Sequence, residues 1–418
     1  MTAFTIILYF ALLHLVYSLR VMLAQMGVFL DMIPTVLIHG ALFIGVHHLV
    51  KLIGKPVCKR IFSPIQKQKS NALTYGIVCV GFSTMYALNS YGFLSRAMGG
   101  YLIPICAYIV LAISLNLVVG ISGELSLGHA GFMGVGAFSG IVAATCLSEA
   151  IPDPFLRLVL AMVAGGLVAG IAGVIVGVPV LRLRGDYLAI VTLAFGEILR
   201  NLIENFYIGL DGNGLHFAMT ATGVQLEPGG KMIISGALGA TGVKTISTFF
   251  AGFLLIIVAL VVVLNLVNSK EGRAIKAIRD NRIAAESVGI NVTSFKLKAF
   301  VISAVLAGMA GALFGLNLGS LQASKFSYTT SIDILVYVVL GGMGNILGSV
   351  ISTVVLYLVP EFLRSLADFR MIMYAVVLIV VMLCTWSPKV KGALTVVTSN
   401  VKKKFHTLLK RKEADTNG

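Results

Sequence analysis

Long apolar runs recur along the chain, and they constrain its fold more than any other feature of the sequence. A helix needs about 20 apolar residues to cross a bilayer, and most of these runs reach that length. Charged residues make up only 12% of the 418, roughly half of what a soluble domain carries. The pattern therefore predicts an all-α protein, a polytopic transmembrane helical bundle. The candidate spans are 4–19, 32–50, 72–92, 101–120, 128–147, 156–178, 188–207, 246–267, 298–318 and 371–387.

The formal net charge of +15 has the distribution expected of a membrane protein. Most Lys and Arg residues fall in three polar stretches, 51–69, 270–298 and 389–412. Basic residues in short loops beside apolar spans mark the cytoplasmic face, so this charge indicates topology and not nucleic-acid binding. The same rule predicts that both termini are cytoplasmic and that the long loop 208–245 lies outside.

Glycines interrupt one late apolar run. Within 332–359, the residues that break the run, in the sequence VLGGMGNILGSV, are Gly341, Gly342, Gly344 and Asn345. Because glycine breaks helices readily, two half-helices joined by a turn are predicted. A single crossing here would leave the basic C-terminal tail outside, whereas a re-entrant or broken helix returns it to the cytoplasm. Irregular backbone at that depth is tolerated where protein or an aqueous cavity covers it.

A second glycine-rich break, residues 120–140, carries Glu124 and His129. Paired breaks in the early and late parts of a transporter point to a pathway near the membrane midplane. The alternative is close helix packing through small residues four apart, such as Gly136 and Gly140. Under the pathway interpretation, the lining candidates are Asn116, Glu124, Gly128, His129, Gly341, Gly342 and Asn345.

The polar segment, residues 268–297, has the pattern of an amphipathic helix. Ile275, Ile278 and Ala285 share one side, and basic residues recur on the flank. Gly289 is predicted to end the helix, since glycine readily adopts the left-handed conformation of a helix terminus. Such a helix suits a groove on a partner protein, or else the anionic headgroups of the bilayer. The residues predicted to couple the membrane helices to a partner ATPase are Arg273, Lys276, Arg279, Arg282, Ala284, Ala285 and Gly289.

Few polar groups within the predicted spans point to chemistry. Glu197, Arg200 and Glu204 are spaced so that they can form ion pairs on one helix face. His129 has no neighbouring metal ligand, which favours a hydrogen-bonded interior histidine. The five cysteines show neither metal-binding nor disulfide spacing. No catalytic residue and no metal site are therefore predicted.

The polar segment also carries a family resemblance. Residues 283–289, Ile-Ala-Ala-Glu-Ser-Val-Gly, resemble the EAA loop of ABC importer permeases, Glu-Ala-Ala-x-x-x-Gly, with Ile283 in place of the motif's Glu. Three longer stretches, in the family's order, are similar to the branched-chain amino acid permease family. They are NLVVGISGELSLGHAGFMGVGAFS, LRLRGDYLAIVTLAFGEILRNLIEN and EGRAIKAIRDNRIAAESVGINVTSFKLKAFVISAVLAGMAGALFG.

This resemblance implies a permease subunit of an ATP-driven importer of leucine, isoleucine and valine in a bacterial inner membrane. The implied partners are a second related permease, two ATP-binding subunits and a periplasmic substrate-binding protein. The sequence has no Gly-x-x-x-x-Gly-Lys-Ser/Thr loop, so the partners are expected to bind and hydrolyse ATP, and no cofactor is expected in this chain. The alternatives are a permease for another solute, such as a sugar, and an ion-coupled secondary transporter.

We expect the chain to divide into three parts. Residues 1–70 resemble the extra N-terminal region of one type of permease subunit, with two transmembrane helices and a basic cytoplasmic loop. Residues 71–388 are expected to form the permease core in membrane lipid, including the coupling loop 268–297. Residues 389–418 are expected to form a basic cytoplasmic tail.

Overall fold

The structure is a computed structural model that describes residues 69–90, 96–181, 186–212, 214–220, 223–224, 230–362, 375–376 and 379. Several predictions therefore lie outside the described residues. They concern the spans 4–19 and 32–50, nearly all of the basic stretch 51–69, most of the span 371–387, and the tail 389–418.

Helices dominate the described residues, and five of them are long and apolar enough to span a bilayer. The predicted polytopic helical bundle is confirmed. The spanning helices are α2, α3, α4, α6 and α9. In chain order the helices are α1 (Lys69–Ser90), α2 (Arg96–Asn116), α3 (His129–Cys146), α4 (Pro154–Val180), α5 (Asp186–Glu204), α6 (Phe249–Asn268), α7 (Lys270–Asp280), α8 (Arg282–Ser287), α9 (Val292–Gly315), α10 (Tyr328–Gly341) and α11 (Ile346–Phe362).

Helices α1 and α5 form where spans were predicted at 72–92 and 188–207, but neither is among the five most apolar long helices. In α5 the reason is a cluster of charges in its second half. Arg200 donates hydrogen bonds to Glu197 at 2.8 Å and to Glu204 at 2.9 Å. The ion pairs predicted for this helix are therefore confirmed.

Helix α2 is the most buried of the five spanning helices and contacts α6, α9, α10 and α11. Its Leu111 and Leu115 are fully buried. Helix α4, in contrast, exposes Leu167, Ile171 and Ile175, which follow one another at four-residue intervals. That spacing places the three on one helix face, so α4 presents an apolar stripe to the outside of the bundle.

Glycines hold α3, α4 and α9 in close contact. A Cβ atom added at Gly136 would overlap the backbone of Gly308, and one added at Gly165 would lie 2.6 Å from the Gly136 carbonyl oxygen. At Gly140 an added Cβ would lie 2.5 Å from the Cβ of Ala312. Side chains this small let helix backbones approach closely in a membrane. For Gly136 and Gly140 the predicted packing role is confirmed.

A small antiparallel sheet, which was not predicted from the sequence, closes one end of the bundle. Ile233 and Ile234 anchor it, because both belong to the buried core. We call this end the sheet end, and the opposite end, which carries α7 and α8, the loop end. The strand order is β2-β1-β3-β4-β5, with β1 at Tyr207–Asp211, β2 at Gly214–Ala218, β3 at Lys231–Ser235, β4 at Ala240–Thr241 and β5 at Ser320–Leu321.

Helices α10 and α11 form an antiparallel hairpin, which confirms the predicted broken helix. Gly341 packs on Gly348 next to the turn, and further along the hairpin the Ser352 hydroxyl donates to the Tyr337 carbonyl. Gly342 ends α10 with a φ of 91°, in the left-handed region that glycine enters without a steric penalty. With 14 and 17 residues, each helix is shorter than a full membrane span.

Candidate functional site at the loop end

Polar capping residues divide the polar segment into short, well-defined helices. The Ser269 hydroxyl accepts a hydrogen bond from the amide of Gly272 at 3.1 Å and begins α7. The Asn281 side chain accepts from the amide of Ala284 at 3.0 Å, so it ends α7 and begins α8. Asn291 begins α9 in the same manner. Because each cap satisfies a backbone group that a helix end leaves unpaired, the segment has little freedom to fray.

The inner face of the polar segment is apolar, as predicted. Ile275, Ile278 and Ala285 are all buried. Ile278 and Ala285 form a small cluster with Val292, the first residue of α9. This cluster fixes α7 and α8 against the membrane helix that follows them.

The outer tip of the polar segment is also apolar but faces solvent. Ile283 is 80% exposed and Val288 is 74% exposed. Gly289 has a φ of 85°, which confirms that it ends the helix in the left-handed conformation. Ala284 lies on the exposed side, whereas Ala285 points inward. Two large exposed side chains on a rigid tip are typical of a contact surface.

The predicted basic flank divides into two groups. Arg282 forms an exposed ion pair with Glu286 at 2.9 Å, and Arg273 is exposed on α7 while Lys276 is partly exposed. Arg279 differs, because its guanidinium turns toward the membrane helices. Its Nη1 donates a hydrogen bond to the carbonyl oxygen of Gly120 at 2.8 Å.

Gly120 belongs to a π-helical turn, Leu117–Ser122, that continues α2. A π-helical turn bonds residues five apart and is frequent at functional sites. A positive charge near the last carbonyls of a helix is also favoured by the helix dipole. Arg279 therefore occupies a position that stabilises the end of α2.

The turn of the α10–α11 hairpin reaches the same place. Asn116, the last residue of α2, is fully buried and accepts a hydrogen bond from the amide of Gly344 at 2.7 Å. Its amide nitrogen donates to the Ser349 hydroxyl at 2.8 Å. The Asn116 side chain thus connects the end of α2 to the hairpin turn and also to the first helical turn of α11.

Glycine makes these close contacts possible. A Cβ at Gly120 would overlap the backbone of Gly344 and the side chain of Asn116. Gly123 has a φ of 75°, and a Cβ there would lie 2.6 Å from Cγ of Arg279. We call Asn116, Gly120, Gly123, Arg279 and Gly344 the Arg279 cluster. It brings the polar segment, the end of α2 and the hairpin turn into one contact.

Two ion pairs hold the polar segment and its surroundings together. Glu124, in the loop between α2 and α3, pairs with Lys296 of α9, and both side chains are largely buried. Glu271 of α7 pairs with Lys298 at 2.6 Å. Glu124 is one of the pathway candidates predicted from the sequence, whereas Lys296 was not predicted. The two lie 172 residues apart, so no local pattern could have joined them.

The remaining pathway candidates lie either at the hairpin turn or at the start of α3. Gly342 and Asn345 form the hairpin turn, where the Asn345 side chain caps α11 by accepting from the amide of Gly348 at 3.2 Å. Gly128 packs on the backbone of Thr192 in α5. His129 is buried and bonds the Ser114 hydroxyl through Nε2 at 2.8 Å, so the predicted interior histidine is confirmed.

Apolar spanning helices, a hairpin of half-length helices and a rigid polar segment packed on their ends define a multi-pass membrane protein. Residues 97–385 match the family described as branched-chain amino acid transport system / permease component. The chain belongs to this family, as the resemblance predicted. It is therefore a transport permease of an ABC transporter and works with the other components of such a transporter.

Two relatives cover most of the chain. The high-affinity branched-chain amino acid transport system permease protein LivM of Salmonella typhimurium is 34% identical over 341 residues, covering 77% of this chain and 74% of its own. The LivM protein of Escherichia coli is 36% identical over 300 residues, covering 68% of this chain and 67% of its own.

A sugar permease is more distant. The ribose import permease RbsC of Haemophilus influenzae is 27% identical over 291 residues, covering 66% of this chain and 80% of its own. No solved structure matches the chain significantly. Because the chain belongs to the branched-chain amino acid permease family, the alternative of an ion-coupled secondary transporter is set aside.

Proposed function

We propose that this chain forms, with a second related permease, the membrane pathway of an importer for leucine, isoleucine and valine. The two LivM relatives support this substrate class, since their identity to the chain exceeds that of the ribose permease. The apolar bundle is compatible with it, because an amino acid with an apolar side chain needs few fixed charges along its route.

Two ATP-binding subunits would dock on the polar segment and supply ATP binding and hydrolysis, with no cofactor held by this chain. The exposed apolar tip at Ile283 and Val288 supports this, since an amphipathic helix inserts its apolar side chains into a groove of its partner. The basic character of the segment supports a cytoplasmic loop end, in a bacterial inner membrane. Both termini would then be cytoplasmic, and a periplasmic substrate-binding protein would meet the sheet end.

The observation that carries the proposal is the hydrogen bond from Arg279 to Gly120. This bond connects the polar segment, which would contact the partner, to the end of α2. The end of α2 in turn contacts the turn of the α10–α11 hairpin. Movement of α7 by an ATP-binding subunit would act at once on the end of α2 and, through Asn116, on the hairpin turn at Gly344. Glycine-containing breaks absorb such backbone changes at low cost.

The experiment is to replace Ile283 by Asp and to co-purify the ATP-binding subunits with the chain from detergent-solubilised membranes. A charge at the centre of an apolar contact should abolish recovery of the subunits and also ATP-dependent leucine uptake. The matched control is Leu238→Asp, because Leu238 is 67% exposed but lies at the sheet end. Full recovery of the ATP-binding subunits with Ile283→Asp would refute docking at this tip.

A further inference from the structure

A cavity of about 450 Å³ lies at the sheet end, where the end of α3 and the start of α4 meet the sheet. Its volume falls in the range of about 300–1,000 Å³ that is usual for small-molecule sites. Charged groups of both signs line it, together with an apolar wall. The charged residues are Glu149, Arg157, Asp211, Lys231 and Lys244, and the apolar wall includes Leu210, Val243 and Ile246.

Arg157 is the most informative residue of this cavity. It is only 7% exposed, and its Nε has no hydrogen-bond partner among the residues that the structure describes. Leaving a buried donor unpaired costs free energy, and the cost is larger for a charged group. A guanidinium held in this way is suited to a carboxylate, which it can bind through two parallel hydrogen bonds.

The position of Arg157 in its helix sharpens this point. Asp153 begins α4 by accepting hydrogen bonds from the amides of Phe155 at 3.2 Å and Leu156 at 3.4 Å. Arg157 therefore lies in the first turn of the helix, where the helix dipole disfavours a positive charge. The unpaired Nε and the helix dipole both leave this arginine without compensation, and a bound anion would supply it.

The acidic groups narrow the chemical class of the ligand. Asp211 is already bonded to His216 at 2.9 Å, and its side chain is almost fully buried. Glu149, in contrast, is exposed at the cavity wall. A site for a simple anion gains nothing from a nearby carboxylate. A zwitterion uses both signs, with its carboxylate on the arginine and its ammonium group near the acid.

We infer that this cavity binds a zwitterionic amino acid with an apolar side chain. The carboxylate bonds Arg157, the ammonium group lies toward Glu149, and the side chain lies against Leu210 and Val243. The inference rests on the proposed function, since it names the place at which the substrate waits at the sheet end before entering the bundle. Lys244 adds positive potential around the carboxylate.

The test measures equilibrium binding of radiolabelled leucine to the assembled transporter in lipid nanodiscs, without nucleotide and without the substrate-binding protein. Arg157→Gln removes the charge but keeps a polar, unbranched side chain, and it should weaken leucine binding at least about tenfold, the effect of losing one strong charge-assisted interaction. Arg157→Lys should retain part of the affinity. The control is Lys325→Gln, an equal charge change at an exposed residue outside the cavity.

Two analogues of leucine separate the parts of the site. Leucinamide lacks the carboxylate, and 4-methylpentanoate lacks the ammonium group, so both should compete at least about tenfold more weakly than leucine. If 4-methylpentanoate competes as well as leucine, the site takes an anion and the zwitterion assignment is overturned. Should Arg157→Gln fail to assemble, Lys244→Gln at the exposed edge gives the second measurement, with the same direction expected.

Failure of this inference can be told apart from failure of the proposed function. If Arg157→Gln and Lys244→Gln bind leucine as tightly as the unaltered protein, the cavity assignment is overturned. ATP-dependent leucine uptake by the unaltered transporter, measured in parallel with its substrate-binding protein, would leave the proposed function standing in that case.

Discussion

Replacing Arg279 by Met tests the central contact of the loop end most directly. Methionine keeps an unbranched apolar stem against Gly123 and removes the guanidinium, which donates to the Gly120 carbonyl at 2.8 Å and to the exposed carboxylate of Asp280 at 3.2 Å. The exposed pair with Asp280 contributes little, so the bond to Gly120 dominates the expected effect. A hydrogen bond from a charged group contributes about 1.5–3 kcal/mol when it is well protected. The Arg279 side chain is 41% exposed. Solvent screening therefore reduces the expected loss to about 1 kcal/mol, which is about a fivefold change in an equilibrium.

This equilibrium is between a state in which the polar segment contacts the end of α2 and a state in which it does not. We expect Arg279→Met to lower the amount of leucine transported per ATP hydrolysed by about fivefold, while ATP hydrolysis itself continues. The assay follows leucine uptake and phosphate release together in proteoliposomes that contain the assembled transporter. Lys270→Met is the matched control, because it removes an exposed charge from the same helix. A normal ratio in Arg279→Met, or an equal loss in Lys270→Met, would contradict the reasoning.

Two further predictions concern packing and charge. Gly136→Ala should lower the thermal midpoint in detergent, since overpacking costs about 1–3 kcal/mol. Gly81→Ala should not, because an added Cβ there meets no atom of the described part of the chain within 4 Å. Equal midpoints for the two variants would argue against the close helix contact. Glu124→Lys and Lys296→Glu should each destabilise the protein by placing like charges together, and the double variant should recover stability and uptake. A double variant that is no better than either single one would show that the pair is unimportant.

Local patterns were sufficient to predict several features of the loop end. The spacing of Ile275, Ile278 and Ala285 predicts a buried face, because that spacing brings residues to one side of a helix. Gly342 and Gly289 predict helix ends, because glycine accepts the left-handed backbone found at both positions. In each case the physical cause lies within a few residues of the feature.

Long-range contacts were beyond the reach of such patterns. Arg273, Lys276, Arg279 and Arg282 recur at equal intervals, yet only Arg279 is bonded to the carbonyl at the end of α2. Asn116 and Gly344 are 228 residues apart, and their contact depends on how the hairpin packs on α2. The strands of the sheet have only two to five residues, too few for a clear alternation of apolar and polar side chains.

The distribution of glycines divides the molecule into a part that resists deformation and a part that can change. In α3, α4 and α9, glycines bring backbones into direct contact, so almost any shift would create overlaps. In the Arg279 cluster, glycines with positive φ instead occupy breaks, where the backbone has alternatives of similar energy. A force on the polar segment would therefore change the end of α2 and the hairpin turn more readily than the block of three helices, which resists deformation. In a transporter, the end of α2 and the hairpin would then change position while α3, α4 and α9 keep their packing. Motion of rigid units about short breaks is a common way to open and close a path.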